Sequence, residues 1–133
     1  MKNYFKLTLS VCVMTVLVSC GNKKATSPIE GTWEITHVAG IQVAGVDPNF
    51  KKGNGNVLKF SGNHFEKFTD GTKVESGVFS LQPESELINN SKSNYALSLN
   101  DAEKVSVMLS DNKLVLFNGI IAADGTEVTY EKQ

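Results

Sequence analysis

Beyond Glu30 the chain alternates hydrophobic and polar positions with period two, the pattern of strands buried on one face. Thr32–Val38 (TWEITHV) places Trp33, Ile35 and His37 on one face and Glu34 and Thr36 on the other. Val57–Phe60 and His64–Phe68 flank Ser61-Gly62-Asn63, a tight hairpin. Asp70-Gly71 predicts a type I′ turn, because both residues tolerate positive φ. It leads into Lys73–Leu81, where Gly77 marks a bulge or a bend. Tyr95–Leu99 alternates, as does Lys104–Ser110, with Val105, Val107 and Leu109 on one face. After a turn at Asp111-Asn112, Lys113–Phe117 is apolar on both faces. Asp124-Gly125 then turns the chain into the closing strand, Thr126–Glu131.

The pattern gives eight strands joined mostly by short turns, and no segment after Cys20 carries a helical stripe over ten residues. Strands of six or seven residues span about 20–23 Å. Eight of them in antiparallel sequence fit an all-β, closed up-and-down barrel, which removes exposed edges. An open β-sandwich is the alternative. Two long connections interrupt the meander. Gly40–Asn56 is rich in Gly and Asn, with room for one short turn of helix near Asp47-Pro48-Asn49. Gln82–Asn94 is rich in Ser, Asn and Glu. Within the first, Gly53-Asn54-Gly55-Asn56 lacks the strand–turn–helix setting and the Lys-Ser/Thr ending of a phosphate cradle, and reads as a flexible loop.

Residues 1–19 have a different character. Lys2 and Lys6 precede Leu7–Val18, an apolar run of twelve residues. A helix of that length covers about 18 Å, short of a hydrocarbon core of roughly 30 Å, which fits a secretory signal better than a membrane span. Leu17-Val18-Ser19-Cys20 resembles the lipobox of bacterial lipoproteins. The resemblance implies cleavage before Cys20 and a diacylglycerol thioether on it. One acyl chain holds only reversibly, at about 0.8 kcal/mol per buried CH₂, whereas the two or three chains of a lipoprotein hold stably. Residues 20–29 are then the lipidated Cys and a polar tether, and residues 30–133 the barrel domain. By the same resemblance, Gly21 rather than Asp after Cys20 directs the protein to the outer membrane. No acidic run follows Cys20, of the kind that marks surface export in some Bacteroidetes lipoproteins, so the resemblance implies a domain on the periplasmic side. Cleavage removes Cys12, so no disulfide supports the mature domain.

Charge narrows the chemistry. The 13 basic residues are all Lys, against 14 acids and a net charge of -1. Loss of the two lysines of the signal leaves 11 against 14, formally -3. A chain without arginine has no basic face for nucleic acid. Two Cys and two His are too few for a metal cluster. His37 is either a polar contact inside a cavity or a strand-end residue reaching solvent. His64 follows a turn and is expected to be exposed. Neither has a Cys, His or Asp at ligand spacing, so no metal site is expected. There is no G-x-S-x-G and no H-E-x-x-H, and Glu84 and Glu86 read as a solvated face. Neither catalysis nor a cofactor is expected.

Gly31-Thr32-Trp33 at the start of the first strand resembles the G-x-W signature of lipocalins. The layout from Ile29 to Gln133, ending in Thr129-Tyr130-Glu131-Lys132, is similar to the small lipocalin-like lipoproteins common in Bacteroidetes. The resemblance implies a barrel plugged at one end by Trp33 and a small hydrophobic ligand held passively in an apolar cavity. Phe60, Phe65, Phe79, Tyr95, Phe117 and Tyr130 fall on separate strands and are expected to converge inward. With Trp33 and His37 they are the candidate pocket lining; the alternative is that they are simply the core. Two departures matter. The chain is short for a lipocalin, so any pocket is small. The arginine that packs over the Trp from the last strand in many lipocalins is missing, and Lys132 is the nearest substitute. In the ligand-binding reading the two long connections flank the mouth of a monomeric barrel. The rival is a filled barrel that binds an envelope partner through these same two connections.

Overall fold

A computed structural model describes residues 25–41 and 44–133; Cys20 and the apolar segment before it lie outside them. The strands in chain order are β1 (Gly31–Ala39), β2 (Val57–Ser61), β3 (His64–Thr69), β4 (Thr72–Pro83), β5 (Leu87–Ile88), β6 (Ser91–Lys92), β7 (Tyr95–Leu99), β8 (Val105–Leu109), β9 (Lys113–Asn118) and β10 (Thr126–Lys132). Eight of them form a closed antiparallel barrel in sequence order, with β10 pairing back onto β1. The other two, β5 and β6, make a separate hairpin between β4 and β7. The period-two reading therefore gives the architecture, and the sandwich alternative is excluded. Asp70 and Gly71 both have positive φ, 48° and 80°, as a type I′ turn requires.

Strand directions define two ends. At one lie the start of β1, the β2–β3 turn and the end of β10; this end carries Trp33. At the other lie the connections after β1, β3, β7 and β9. The Gly40–Asn56 connection is thus at the far end from Trp33, while the Gln82–Asn94 connection leaves β4 at the Trp33 end. The two therefore do not flank one mouth, contrary to the expectation from sequence.

The core is a single cluster including Ile29, Trp33, Ile35, Leu58, Phe60, Phe65, Leu97, Val107, Leu114, Leu116 and Tyr130. Phe60 and Phe79 meet edge-to-face at 5.0 Å, a favoured aromatic geometry. Trp33 is fully buried and its indole N–H donates to the Ile29 carbonyl at 2.7 Å, tying the entering chain beneath the barrel.

Alternation fails at one point in β1. Ile35 pairs with Tyr130 but His37 pairs with Thr129, so Thr36 is an extra residue, a β-bulge. The bulge reverses the phase: Val38 packs toward the core and His37 moves to the outer face. There His37 Nδ1 lies 2.9 Å from Asn49 Oδ1, and residues 37 and 49 form a bridge. Asp47-Pro48-Asn49 is accordingly extended rather than a helical turn, the Pro48 carbonyl accepting from the Val38 N–H. A short 3-10 turn occurs instead at Ile121–Ala123.

The Gly53–Asn56 loop is built into the fold. Asn54 Nδ2 donates to the carbonyls of Ile35 and Lys51, its Oδ1 accepts from the Asn56 N–H, and the Gly53 N–H donates to Glu34 Oε1 at 2.7 Å. Glu34, only 6% exposed, is satisfied by that bond. The segment packs against the bulged part of β1 rather than waving free.

The β5–β6 hairpin explains why β9 is apolar on both faces. Leu114 and Leu116 face the core, so Val115 and Phe117 face outward, yet both are buried. The hairpin is tied to this side of the barrel by Ser106 Oγ donating to Glu86 Oε2 at 2.6 Å. At its tip, Asn89 Nδ2 donates to the Gly119 carbonyl and Asn89 Oδ1 accepts from the Ile121 N–H. A strand covered on both faces loses the alternation of a half-buried one.

Candidate functional site

The eight candidate residues separate into three groups. Trp33, Phe60, Phe65, Phe79, Tyr95 and Tyr130 belong to or pack against the core cluster, as inward-facing residues should. Phe117 is buried against the outer face instead. His37 is on the outer face because of the Thr36 bulge. Burial pushes the Tyr130 phenol up to about 12 from its ordinary 10.0, since the phenolate is disfavoured away from water. His64 lies exposed on β3, with Nδ1 3.3 Å from the Gly77 carbonyl.

The barrel interior opens elsewhere. A cavity of about 210 Å³ is lined by Glu75, Leu97, Leu99, Ala102, Glu103, Val105 and Leu116. Its apolar wall comes from inward-facing residues of β7, β8 and β9, and its polar rim from β4 and the β7–β8 connection. None of the eight candidates lines it. Larger clefts, of about 550 and 650 Å³, lie along the β5–β6 hairpin on the outside of the barrel.

The cavity exists because β4 changes partner. Residues 72–78 pair with β3, and only residues 79–83 pair with β7. Between the first half of β4 and the β7–β8 connection there is no strand ladder. Asn100 closes part of this gap. Its N–H donates to the Val78 carbonyl at 2.8 Å, and its Oδ1 accepts from the Val78 N–H at 3.1 Å. Its Nδ2 donates to the Ser76 carbonyl at 3.3 Å and to Glu75 Oε1 at 3.4 Å. One side chain thereby continues the ladder that β7 leaves unfinished. A Cβ on Gly77 would overlap the Asn100 amide, so any other residue here would push that side chain out of its bonds. The sequence marks Gly77 as a bulge or a bend, but Gly77 keeps regular register with β3, opposite Phe65. The bulge of β4 is at Val74, where Lys67 faces Glu75 but Phe68 faces Lys73.

Charges at the rim are mostly acidic. Glu75 and Glu103 line the cavity, and both ion pairs among the described residues lie outside it: Lys73–Glu66 at 2.7 Å and Lys104–Glu84 at 3.7 Å. The Lys73 ammonium holds the Glu66 carboxyl below its usual range. Sequence reasoning did not nominate the cavity residues because leucines and valines on alternating strands look the same whether they fill a core or line a void. The signal that was present is local: Val105, Leu97 and Leu99 are smaller than the aromatics at the other end.

No protein-family model, curated protein or solved structure matches this chain.

Proposed function

We propose that this protein is an envelope-anchored, lipocalin-like binding protein that holds a small hydrophobic molecule in the 210 Å³ cavity of its barrel. The observation that carries the reading is the cavity itself: an apolar pocket with few polar groups at its rim, reached from one end of a closed barrel. At roughly 30 Å³ per water-sized group the space takes about seven such groups, so the ligand is fragment-sized. The Trp33 end supports the likeness to lipocalins. There Trp33 is sealed beneath the barrel, and Lys132 from the last strand lies over its ring at 5.2 Å, in the role the missing arginine would take. Binding is passive and needs no catalytic group or cofactor. The lipobox-like Leu17-Val18-Ser19-Cys20 supports an acyl anchor at Cys20 and a periplasm-facing place on the outer membrane.

Native mass spectrometry of the protein purified from its own host tests this. A retained small molecule that disappears in Val105→Trp, which fills the cavity, is the expected result. A ligand-free folded protein, or a ligand equally retained by Val105→Trp, overturns the reading.

One observation favours the rival, an interaction protein. Leu87 is 77% and Ile120 58% exposed, and both line the cleft at the tip of the β5–β6 hairpin. The hydrogen bonds of Asn89 fix that cleft, and exposed apolar side chains in an ordered groove are a feature of protein contact surfaces.

A further inference from the structure

We infer that the barrel cavity selects a cationic amphiphile, a short apolar body carrying an ammonium head, over neutral or anionic molecules of the same size. This rests on the ligand-binding reading above and adds the class of ligand.

The lining supplies the two halves of the recognition separately. Leu97, Leu99, Val105 and Leu116 make an apolar floor. The only ionisable lining groups are Glu75 and Glu103, and both are acids. They come from different elements, β4 and the β7–β8 connection, so they stand on two sides of the opening. A ligand with its chain on the floor has its head between them.

Among the described residues, no lysine makes an ion pair with either acid. Lys104, beside Glu103 in the chain, is paired with Glu84 at 3.7 Å. Lys73 is paired with Glu66 at 2.7 Å. Lys67 faces Glu75 in the β3–β4 ladder, but it is exposed and makes no ion pair with it. Asp101, on the same connection as Glu103, adds a further acid. Asn100 Nδ2 donates to Glu75 Oε1 at 3.4 Å. Glu75 and Glu103 are both exposed, and among the described residues Glu75 Oε2 has no protein partner. An ammonium head replaces water at such an oxygen with a charge-assisted bond. A carboxylate head in the same place meets two like charges.

Hexylammonium, hexanol and hexanoate have nearly equal chains and differ in the head alone. Titrated into the purified protein at low ionic strength and neutral pH, with the methyl signals of Leu97 and Leu116 followed by NMR, hexylammonium is expected to bind about tenfold more tightly than hexanoate, with hexanol between them. About 0.5 M salt should compress that difference to within a few-fold, because exposed charges are screened. The double variant Glu75→Gln/Glu103→Gln should bind hexylammonium no better than hexanol. Equal binding of the three by the parent, a preference for hexanoate, or a preference that survives both high salt and the double variant overturns the inference. In those cases the cavity reading stands. If none of the three moves the Leu97 and Leu116 signals, the cavity reading falls as well. If the double variant does not fold, the salt dependence of the parent decides alone.

Discussion

The Lys132 ammonium lies 5.2 Å from the centre of the Trp33 ring, and its side chain reaches there by passing over Gly31. A Cβ at position 31 would come within 2.7 Å of Lys132 Cε, and Gly31 has a φ of 132°, a conformation side chains rarely adopt. The G-x-W arrangement at the start of β1 therefore has a physical reason: glycine clears the path along which the last strand's cation covers the tryptophan. Gly31→Ala should destabilise the fold by about 1–3 kcal/mol, the scale of a strained backbone position. Lys132→Arg should be near neutral, since either cation can lie over the ring, and Lys132→Ala should cost about 0.5–2 kcal/mol. Urea unfolding of the three variants checks the order; a Gly31→Ala protein as stable as the parent would remove the argument.

Trp33 itself is a larger contributor. It is fully buried, and its N–H is bonded to the Ile29 carbonyl. Trp33→Ala should cost about 3–5 kcal/mol, a large part of the roughly 5–15 kcal/mol that holds a domain folded. Trp33→Phe keeps most of the volume but loses the bond to Ile29, and should cost less. In the parent, emission of this single Trp should be blue-shifted and should move red on unfolding. Emission at the wavelength of a solvated indole in the folded protein contradicts the buried position.

Asn100 tests how the open side of the barrel is held. Asn100→Ala removes three side-chain hydrogen bonds, to Val78, Ser76 and Glu75. It also puts a less tolerant residue at a φ of 52°. At about 0.5–1.5 kcal/mol net per bond, discounted for exposure, the loss should be about 1–3 kcal/mol. Asn100→Asp keeps an acceptor for the Val78 N–H but loses the donors and sets a second carboxylate beside Glu75, so it should be at least as damaging. Amide exchange should quicken at Val78 in Asn100→Ala and stay unchanged at Leu114, on β9. Uniform quickening would mean that Asn100 acts on global stability alone.

Alkaline stability should depend on Tyr130. Its phenol is raised from 10.0 to about 12 by burial, so the unfolded chain loses that proton first as pH rises. The stabilisation is complete below pH 10 and is lost as pH climbs toward 12. Two pK units correspond to about 3 kcal/mol at most. Tyr130→Phe has no proton to lose, so its stability should fall less steeply across that window. Denaturant midpoints measured from pH 9 to 12 give the comparison. Parallel curves for parent and variant would place the alkaline loss on other groups.

Much of this architecture is legible in the sequence because barrel strands obey a two-residue period, and Asp70-Gly71 marks its turn type. The errors fall where a residue breaks that period. Strict alternation puts His37 on the Trp33 face, yet the apolar spacing Trp33, Ile35, Val38 already carries the slip that the Thr36 bulge produces. Phe117 was drawn inward because the β5–β6 hairpin that covers the outer face is only two residues per strand, too short to register as a pattern. Gly53–Asn56 looked flexible since Gly and Asn favour irregular backbone. Its order comes from long-range bonds to Glu34 and Ile35 that composition does not encode. The cavity depends on where β4 leaves β3 for β7, a property of register that no single strand records.

The last expectation joins the N-terminal segment to the orientation of the barrel. Ile29 is fully buried against the Trp33 end, so the chain enters the domain there. The cavity residues Ala102 and Glu103 lie on the connection at the other end. A lipid on Cys20 is seven residue steps from Ser27, at most about 25 Å of extended chain. An acyl anchor at Cys20 would therefore hold the Trp33 end near the membrane and turn the cavity rim away from it. Cys20→Ala should abolish incorporation of labelled palmitate and release the protein from the membrane fraction. In the anchored protein, a spin label at Asp101 should be little affected by relaxation agents confined to the bilayer, and one at Asp111, in the turn at the Trp33 end, strongly affected. Labelling that persists in Cys20→Ala refutes the anchor. An anchored protein with equal relaxation at Asp101 and Asp111 refutes the orientation, because a tether this short leaves the two ends of the barrel at different depths only if the chain enters at one of them and the domain does not lie on its side.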